Sequence, residues 1–268
     1  MSTWVLLRGL TRDARHWDGF GERLQAAVGA TRMVMPDLAG NGLRWREASS
    51  TRVEAYVDAV RAQLSQAGLA PPYRVFALSL GAMVALSWAE RHGDELLGAV
   101  LVNTSVRSLS PLHHRLRPGA WATLLPLAFA PPASARWEQA VLRLTTRHGD
   151  ADDDATRALL TRWTAWRLAR PVSRANALRQ LLAAARFSAP RQAPAVPLLL
   201  LASRQDRLVD SRCSARLAAA WGCPSAWHPS AGHDLPLEDA DWTLAQVRRW
   251  LAEGGNVGKE CTASRRVW

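Results

Sequence analysis

The stretch that decides the fold is YRVFALSLGAMVALSWAERHG at residues 73–93, which starts as an apolar strand and continues as a helix. Ser79 lies at the changeover, with Ala77 two residues before it and Gly81 two residues after it. Small side chains at these two positions permit a sharp turn, because larger ones would collide with neighbouring backbone. We therefore expect the hydroxyl of Ser79 to stand clear of the sheet, at the positive end of a helix that favours a developing negative charge.

Short apolar runs recur along the chain and predict strands that are covered on both faces. These runs lie at residues 4–7, 32–35, 74–78, 98–103 and 196–202. Segments with helical periodicity lie between them or after them, for example at residues 82–93 and 241–253. Strands that alternate with helices predict a mostly parallel sheet with helices on both faces.

One amphipathic helix is predicted after Thr51, because Thr51 and Glu54 have the spacing of a capping box. Gly68 is expected to end this helix. The apolar positions that fall on one face of it are Val53, Tyr56, Val57, Val60 and Leu64.

The region from about residue 107 to 191 breaks the alternation, because it contains helical patterns and no good strand. These patterns lie at residues 137–146, 155–170 and 173–187. Pro111 and Pro118 precede them, and the proline-rich run SAPRQAPAVP follows. We expect a core of residues 1–106 and 192–253, a helical cap of residues 107–191, and a disordered tail of residues 254–268.

The composition narrows the classes of partner. Lys plus Arg number 34 against 23 Asp plus Glu, but the arginines are scattered and no RNP, zinc-finger or P-loop pattern is present. We therefore expect no nucleic-acid partner. No apolar run approaches the ~20 residues that a membrane-spanning helix needs, so we expect no membrane span. The first residues lack the features of a signal peptide, which predicts a cytoplasmic protein.

The three cysteines predict neither a disulfide framework nor a zinc site. Cys213, Cys223 and Cys261 form no C-x-x-C spacing, and their number is odd. We therefore expect no metal, and the oligomeric state is left open.

With Ala77 in place of the first glycine, A-L-S-L-G resembles the nucleophile elbow G-x-S-x-G of the α/β-hydrolase fold family. From residue 4 to 253 the order of landmarks is similar to that of the family's capped, esterase-like members. The resemblance implies an α/β-hydrolase fold with an inserted helical cap, and Ser79 as the nucleophile. Asp37, Gly40 and Gly42 match the family's D-x-x-G-x-G segment, whose glycines are expected to shape a turn.

The family's order places an acid and then a histidine after the serine. Asp206 stands where the family's acid leaves a strand, and Asp210 is the alternative further along. His233 lies in a small turn before the last helix, whereas His228 is disfavoured because it falls within a strand. The resemblance thus implies a Ser79, His233, Asp206 triad, in which Asp206 orients the histidine.

The resemblance also implies an oxyanion hole made by the backbone N–H groups of Leu10 and Leu80. Leu80 follows the nucleophile, and Leu10 follows Gly9 in the loop after the first strand. This chain has Arg8 where the family usually has histidine before that glycine. The support of the loop is therefore expected to differ from the usual one.

By resemblance, the function is that of a cofactor-free serine hydrolase, which cleaves small carboxylic esters with short- to medium-chain acyl groups through an acyl-enzyme. The predicted lining of an apolar acyl pocket is Leu124, Leu125, Leu127, Phe129, Trp163 and Trp166. Lactonase, thioesterase or cofactor-free haloperoxidase chemistry on the same triad stays open, as does a non-catalytic binding protein with this fold.

Overall fold

In the computed structural model of the protein, residues 2–128, 135–147 and 153–255 are described. Within these ranges the strands form one six-stranded sheet in the order β2-β1-β3-β4-β5-β6, and all neighbouring strands run parallel. The strands are β1 (Thr3–Leu7), β2 (Arg32–Val34), β3 (Tyr73–Leu78), β4 (Leu96–Val102), β5 (Leu198–Ser203) and β6 (Ser225–His228). The predicted parallel sheet is confirmed.

Helices cover both faces of this sheet. One face packs against α1 (Phe20–Val28) and α11 (Ala240–Ala252), which follows the short α10 (Leu235–Glu238). The other face packs against α2 (Val53–Gln66), α3 (Leu80–Arg91) and α9 (Arg212–Trp221). The two faces follow from the alternation of side chains along a strand. In β1, Trp4 and Leu6 enter the core beside α1, whereas Val5 and Leu7 enter the core beside α2.

The predicted amphipathic face of α2 is confirmed, because all five of its apolar positions are buried. The predicted capping box is wrong. Arg52 still has extended backbone and serves as the N-cap residue without a side-chain hydrogen bond, so Thr51 lies outside the helix. Gly68 adopts φ +69° after the last turn, where its N–H donates to the Ser65 carbonyl at 3.0 Å.

Between β4 and β5, the described residues 103–128, 135–147 and 153–197 form what we call the helical segment. It contains α4 (Leu112–Arg115), α5 (Pro118–Leu124), α6 (Ala135–Thr145), α7 (Asp154–Ala169) and α8 (Arg174–Arg186). The last three were predicted, and α4 and α5 were not. Pro118, expected to mark a boundary, instead occupies the first turn of α5, where its missing N–H costs nothing. The boundaries of a cap domain stay a prediction.

The residues that the structure describes were expected to contain neither a membrane-spanning helix nor a metal site. None of the helices in these ranges is both long enough and apolar enough to cross a bilayer. In the same ranges, no group of three or more His, Cys, Asp or Glu side chains could hold a metal ion. Cys213 and Cys223 are buried, and Cys261 lies outside the described residues.

Candidate active site

Ser79 sits on a strained turn between β3 and α3. Its backbone has φ 58° and ψ −116°, a conformation that is rare for a residue other than glycine and that concentrates at functional sites. The neighbouring strand holds the turn, because the Ser79 N–H donates to the Val102 carbonyl at 2.9 Å. The Ser79 carbonyl in turn accepts hydrogen bonds from the N–H groups of Ala82 and Met83 and from the Thr104 hydroxyl.

The small residues around Ser79 let the loop after β1 pack directly on the turn. A Cβ added to Gly81 would lie 2.3 Å from the Leu7 carbonyl oxygen, which only a shift of backbone could relieve. A Cβ added to Gly9 would lie 3.1 Å from the Cβ of Ser79. Gly9 is therefore next to the serine, as the sequence pattern requires.

The two predicted oxyanion donors line the same cavity as Ser79. Leu80 is the first residue of α3, and Leu10 follows Gly9. Within residues 2–128, 135–147 and 153–255, neither backbone N–H donates a hydrogen bond to another group. Both groups are therefore free to bind an oxygen atom of a substrate.

The structure brings His233 and Asp206 into direct contact. Nδ1 of His233 lies 2.7 Å from Oδ2 of Asp206, and the two residues are only 3% and 2% exposed. The other oxygen of Asp206 accepts the N–H groups of Leu208 and Val209 at 2.8 and 2.9 Å. A carboxylate only accepts hydrogen bonds, so Nδ1 is the donor in this contact, and Nε2 is an acceptor in the neutral form of the ring. Ser79 and His233 both line the cavity.

The two alternatives that the sequence raised have other partners. Asp210 accepts hydrogen bonds from the side chain of Arg212 at 3.0 and 2.7 Å, and chiefly this contact lowers the pKa of Asp210 to about 2. His228 ends β6, where its Nε2 lies 3.1 Å from Asp239 and its Nδ1 accepts the N–H of Ala231 at 2.8 Å. Neither side chain lines the cavity.

Asn103, which sequence reasoning missed, ties three parts of the site together. Its Nδ2 donates to the His233 carbonyl at 2.8 Å, while its Oδ1 accepts the Ser203 N–H at the end of β5. Asn103 itself follows β4 and has φ 46°, a conformation that asparagine tolerates better than most residues. An asparagine directly after a buried strand was the available signal.

Arg8 and Asp234 form a buried ion pair beside the site. Two nitrogens of the Arg8 guanidinium bind the two oxygens of Asp234 at 3.1 and 2.5 Å, and both side chains are 4% exposed. The guanidinium also lies 4.7 Å from the ring centroid of Trp17. Arg8 directly precedes Gly9 and Asp234 directly follows His233, so the pair joins the loop after β1 to the loop that carries His233. Arg8 thus supports the loop after β1, at the position where the family usually has histidine.

The cavity has a volume of about 580 Å³ and is mostly apolar. Side chains from α4, α5, α6 and α8 supply much of its wall, so the helical segment faces the predicted catalytic residues. The wall residues that sequence reasoning missed include Leu112, Leu116, Trp121, Val141, Leu144 and Leu181.

Of the six predicted pocket residues, the structure brings Leu124 to the cavity wall. Leu125 is 63% exposed, Leu127 is buried, and neither lines the cavity. Trp163 and Trp166 pack edge-on against His16 and lie outside the wall. Phe129 lies outside the described residues. The sequence could not separate these residues because the interior of a helical segment and the wall of a pocket are both apolar.

A second cluster of charges joins the helical segment to the loop after β1. Glu138 on α6 is fully buried, where it accepts hydrogen bonds from Nη1 of Arg12 at 2.5 Å and from Nε of Arg167 on α7. Burial acts to raise the pKa of Glu138, but attraction to the two arginines outweighs it and holds the pKa below its usual range. The Arg12 guanidinium also lies 4.3 Å from the Trp163 ring centroid.

His16 lies beside this cluster and stays neutral near pH 7. Its Nε2 is 3.0 Å from Nη1 of Arg12, and its Nδ1 is 3.2 Å from Asp13. Burial, together with the positive charge of Arg12, lowers the pKa of His16 to about 4. A guanidinium only donates, so Nε2 of the neutral ring accepts from Arg12. Nδ1 lies 3.2 Å from both the backbone nitrogen and the Oδ1 atom of Asp13.

Several solved structures have this fold at low sequence identity. An esterase from Thermogutta terrifontis, with malate bound, has a TM-score of 0.67 and 19% identity, over 94% of this chain and 90% of its own. An esterase from Rhodococcus sp. ECU1013 has a TM-score of 0.69 and 19% identity over the same shares. A proposed non-heme bromoperoxidase from Mycobacterium tuberculosis H37Rv has a TM-score of 0.73 and 19% identity, over 94% of this chain and 92% of its own.

No curated protein matches the chain. The sequence model of the alpha/beta hydrolase family matches residues 4–246, which is nearly the whole described core and helical segment. This match agrees with the parallel sheet and with the turn that carries Ser79. The chain belongs to the alpha/beta hydrolase family.

Proposed function

We propose that this protein is a serine hydrolase of carboxylic esters, with Ser79 as nucleophile, His233 as base and Asp206 as the residue that orients the base. One observation carries the proposal: His233 makes a buried hydrogen bond to Asp206 through Nδ1, and His233 and Ser79 line the same cavity. A serine hydroxyl needs such a base to become a useful nucleophile.

In the proposed reaction, Nε2 of His233 takes the proton from Oγ of Ser79, and Oγ attacks the carbonyl carbon of the ester. The N–H groups of Leu10 and Leu80 donate to the oxygen that gains negative charge. His233 then gives its proton to the departing alcohol. A water molecule, deprotonated by the same nitrogen, attacks the acyl-enzyme and releases the carboxylic acid and free Ser79.

The cavity supports an aliphatic acyl group as the part of the substrate that binds beside Ser79. Its wall is mostly apolar, and the helical segment would act as a cap that shapes it. Two of the structures with this fold are described as esterases, which is consistent with the proposal. We propose esters of short to medium chain length as substrates.

A panel of 4-nitrophenyl esters of rising acyl length, with a lactone and a thioester beside them, tests this function. We expect the esters to be hydrolysed and Ser79→Ala to lower kcat/KM by about 10⁴-fold or more. Ser87→Ala is the matched control, because Ser87 is a buried serine on α3, the helix that follows Ser79, and does not line the cavity. Ester hydrolysis by Ser79→Ala within tenfold of the unsubstituted protein would contradict the proposal, and faster cleavage of the thioester or lactone would change the substrate class.

A further inference from the structure

Large apolar side chains that are exposed to solvent are concentrated in the helical segment. Over the described residues, six such side chains are exposed, and five of them belong to this segment. These five are each between 43% and 63% exposed: Leu112, Trp121, Leu125, Leu168 and Leu178. Exposed apolar side chains that lie together mark a surface that contacts a partner or a membrane.

Four of the five lie around the opening of the cavity. Leu112 on α4, Trp121 on α5 and Leu178 on α8 line the cavity and are also about half exposed, so they lie where it opens to solvent. The carbonyl of Trp121 accepts the N–H of Leu125 at 2.8 Å, so Leu125 follows one helical turn later on the same face. We call Leu112, Trp121, Leu125 and Leu178 the apolar rim.

The same part of the chain carries most of the net positive charge. The sequence from residue 103 to 197 contains 14 arginines, no lysine and 5 acidic residues, which gives a formal net charge of +9 out of +11 for the whole chain. The arginines are scattered along the whole protein, but the acidic residues are depleted in this part. The remainder of the chain is therefore close to neutral, and the helical segment is strongly basic.

Two of these arginines lie beside the apolar rim. Arg174 on α8 is exposed and lines the cavity, and it lies one helical turn before Leu178. Arg179 is exposed and follows Leu178 directly. Positive charge is thus present at the opening of the cavity, next to exposed apolar side chains.

We propose that the apolar rim docks on an anionic lipid surface. Leucine and tryptophan side chains with arginine beside them suit the boundary between lipid headgroups and acyl chains, where the apolar groups leave water and the arginines stay among the headgroups. Anionic headgroups supply the negative charge that attracts a basic surface. In this position the cavity opens toward the lipid.

Charge and shape favour lipid over other occupants of the rim. Two copies of this chain would bring two strongly basic surfaces together, and repulsion between like charges opposes such a dimer. An acidic protein would match the arginines, but it would not continue the apolar contact into a mostly apolar cavity, as an acyl chain does. The inference concerns binding, and it does not depend on the proposed ester hydrolysis.

Sedimentation with lipid vesicles tests the docking. The Ser79→Ala variant of the full chain is used, so that lipid esters stay intact, with vesicles of phosphatidylcholine alone or mixed with phosphatidylglycerol. We expect at least about tenfold tighter binding to the anionic vesicles, because each basic residue near the surface contributes to the attraction. Added NaCl should weaken this binding, because salt screens the charges.

Substitutions of the apolar rim locate the contact. Leu112→Gln and Leu178→Gln, each in the Ser79→Ala background, should weaken binding to anionic vesicles by at least about fivefold, because each replaces an apolar side chain that leaves water on docking. Leu168→Gln is the matched control, because Leu168 is an equally exposed leucine of the helical segment that does not line the cavity. Thermal unfolding checks that each variant is folded, and either rim variant serves if the other does not fold.

A pair of double variants separates local charge from net charge. Arg174→Gln with Arg179→Gln should weaken binding to anionic vesicles by about tenfold. Arg248→Gln with Arg249→Gln removes the same charge from exposed positions on α11 and should change binding by less than about twofold. Equal losses in the two double variants would mean that net charge alone attracts the protein, and would overturn docking through the rim.

The other outcomes also decide the inference. Equal binding to vesicles with and without phosphatidylglycerol, or no binding to either, would overturn it even if 4-nitrophenyl esters are hydrolysed through Ser79. A dimer in lipid-free solution that Leu112→Gln and Leu178→Gln both dissociate would assign the rim to a second copy of the chain. Failure to hydrolyse any ester would overturn the proposed function alone, because vesicle binding does not require turnover.

Discussion

Two buried polar regions of this molecule differ in how their groups are paired. At the edge of the sheet, Asp206 accepts from His233 and from two backbone N–H groups, and Arg8 is matched by Asp234. Where the helical segment meets the loop after β1, two arginines share Glu138, and N–H groups of Arg12 and of two tryptophans have no acceptor. Both regions are almost fully buried, so burial alone does not separate them. In the first region each charged side chain has its own partner, whereas in the second region Glu138 binds two guanidinium groups.

Among the substitutions in the region around Asp206 and His233, Asp206→Asn should have the largest effect on ester hydrolysis. The amide oxygen can still accept the N–H groups of Leu208 and Val209, but the side chain no longer holds Nδ1 of His233 as a donor to a carboxylate. We expect kcat for ester hydrolysis to fall by about 10³- to 10⁴-fold, because the wrong histidine tautomer is then favoured. Steady-state kinetics with the best 4-nitrophenyl ester measures the effect.

Asp210→Asn is the control for that prediction. Asp210 lies four residues further along, binds the exposed Arg212 and does not line the cavity, so its replacement should change kcat by less than about threefold. A larger loss of kcat in Asp210→Asn than in Asp206→Asn would mean that Asp210, and not Asp206, is the acid that orients the histidine.

Substitutions in the region around Glu138 should change the stability of the protein more than its kcat. Glu138→Gln removes the buried carboxylate that binds both Arg12 and Arg167, and it takes from the buried Arg12 guanidinium the ion-pair partner that it has in the described residues. We expect the free energy of unfolding to fall by about 3–5 kcal/mol, measured by urea denaturation.

Arg12→Gln should lower the free energy of unfolding less than Glu138→Gln does, because Glu138 keeps its ion pair with Arg167. The reverse order, or a Glu138→Gln protein as stable as the unsubstituted one, would show that Glu138 does not neutralise this cluster.

A smaller effect on stability is expected from His16 as the pH falls. Its pKa in the folded protein is about 4, against an ordinary value of 6.5. Between these values the unfolded chain binds more protons than the folded one, so stability is complete at neutral pH and is lost as the pH falls from about 6.5 to about 4. The loss amounts to at most about 3 kcal/mol.

His16→Gln isolates this contribution from that of the carboxylates. The difference in unfolding free energy between the two proteins, measured in urea from pH 7 to pH 4.5, should change in favour of the variant as the pH falls. Parallel pH dependence of the two proteins would mean that His16 is not held neutral by its surroundings.

The sequence predicted features whose causes are local. Strands β1 to β5 follow from continuous apolar runs, and the turn at Ser79 follows from Ala77 and Gly81 on either side of it. Asp206 and His233 were predicted from the order of landmarks in the family that the sequence resembles, and the structure brings these two residues into contact. The local signal failed at Thr51, where the backbone stays extended for one residue longer than a capping box requires.

Features that depend on distant pairing were beyond the sequence. Arg8 and Asp234 are 226 residues apart, and Asn103 and His233 are 130 apart, so nothing local relates them. Glu138 lies in a helical pattern, where a glutamate is usually exposed. Its burial depends on hydrogen bonds from Arg12 and Arg167, which lie 126 and 29 residues away in the sequence. Such pairs are created by the fold and become visible only with it.

Reaction with a fluorophosphonate probe tests the central claim most directly, because the probe forms a covalent bond only with a serine that a neighbouring base activates. Intact-protein and peptide mass spectrometry should find one adduct, on Ser79, in the unsubstituted protein and in Ser87→Ala. Labelling should disappear in Ser79→Ala and slow strongly in His233→Gln. A folded protein that takes up no probe, or takes it up at another serine, would contradict the account.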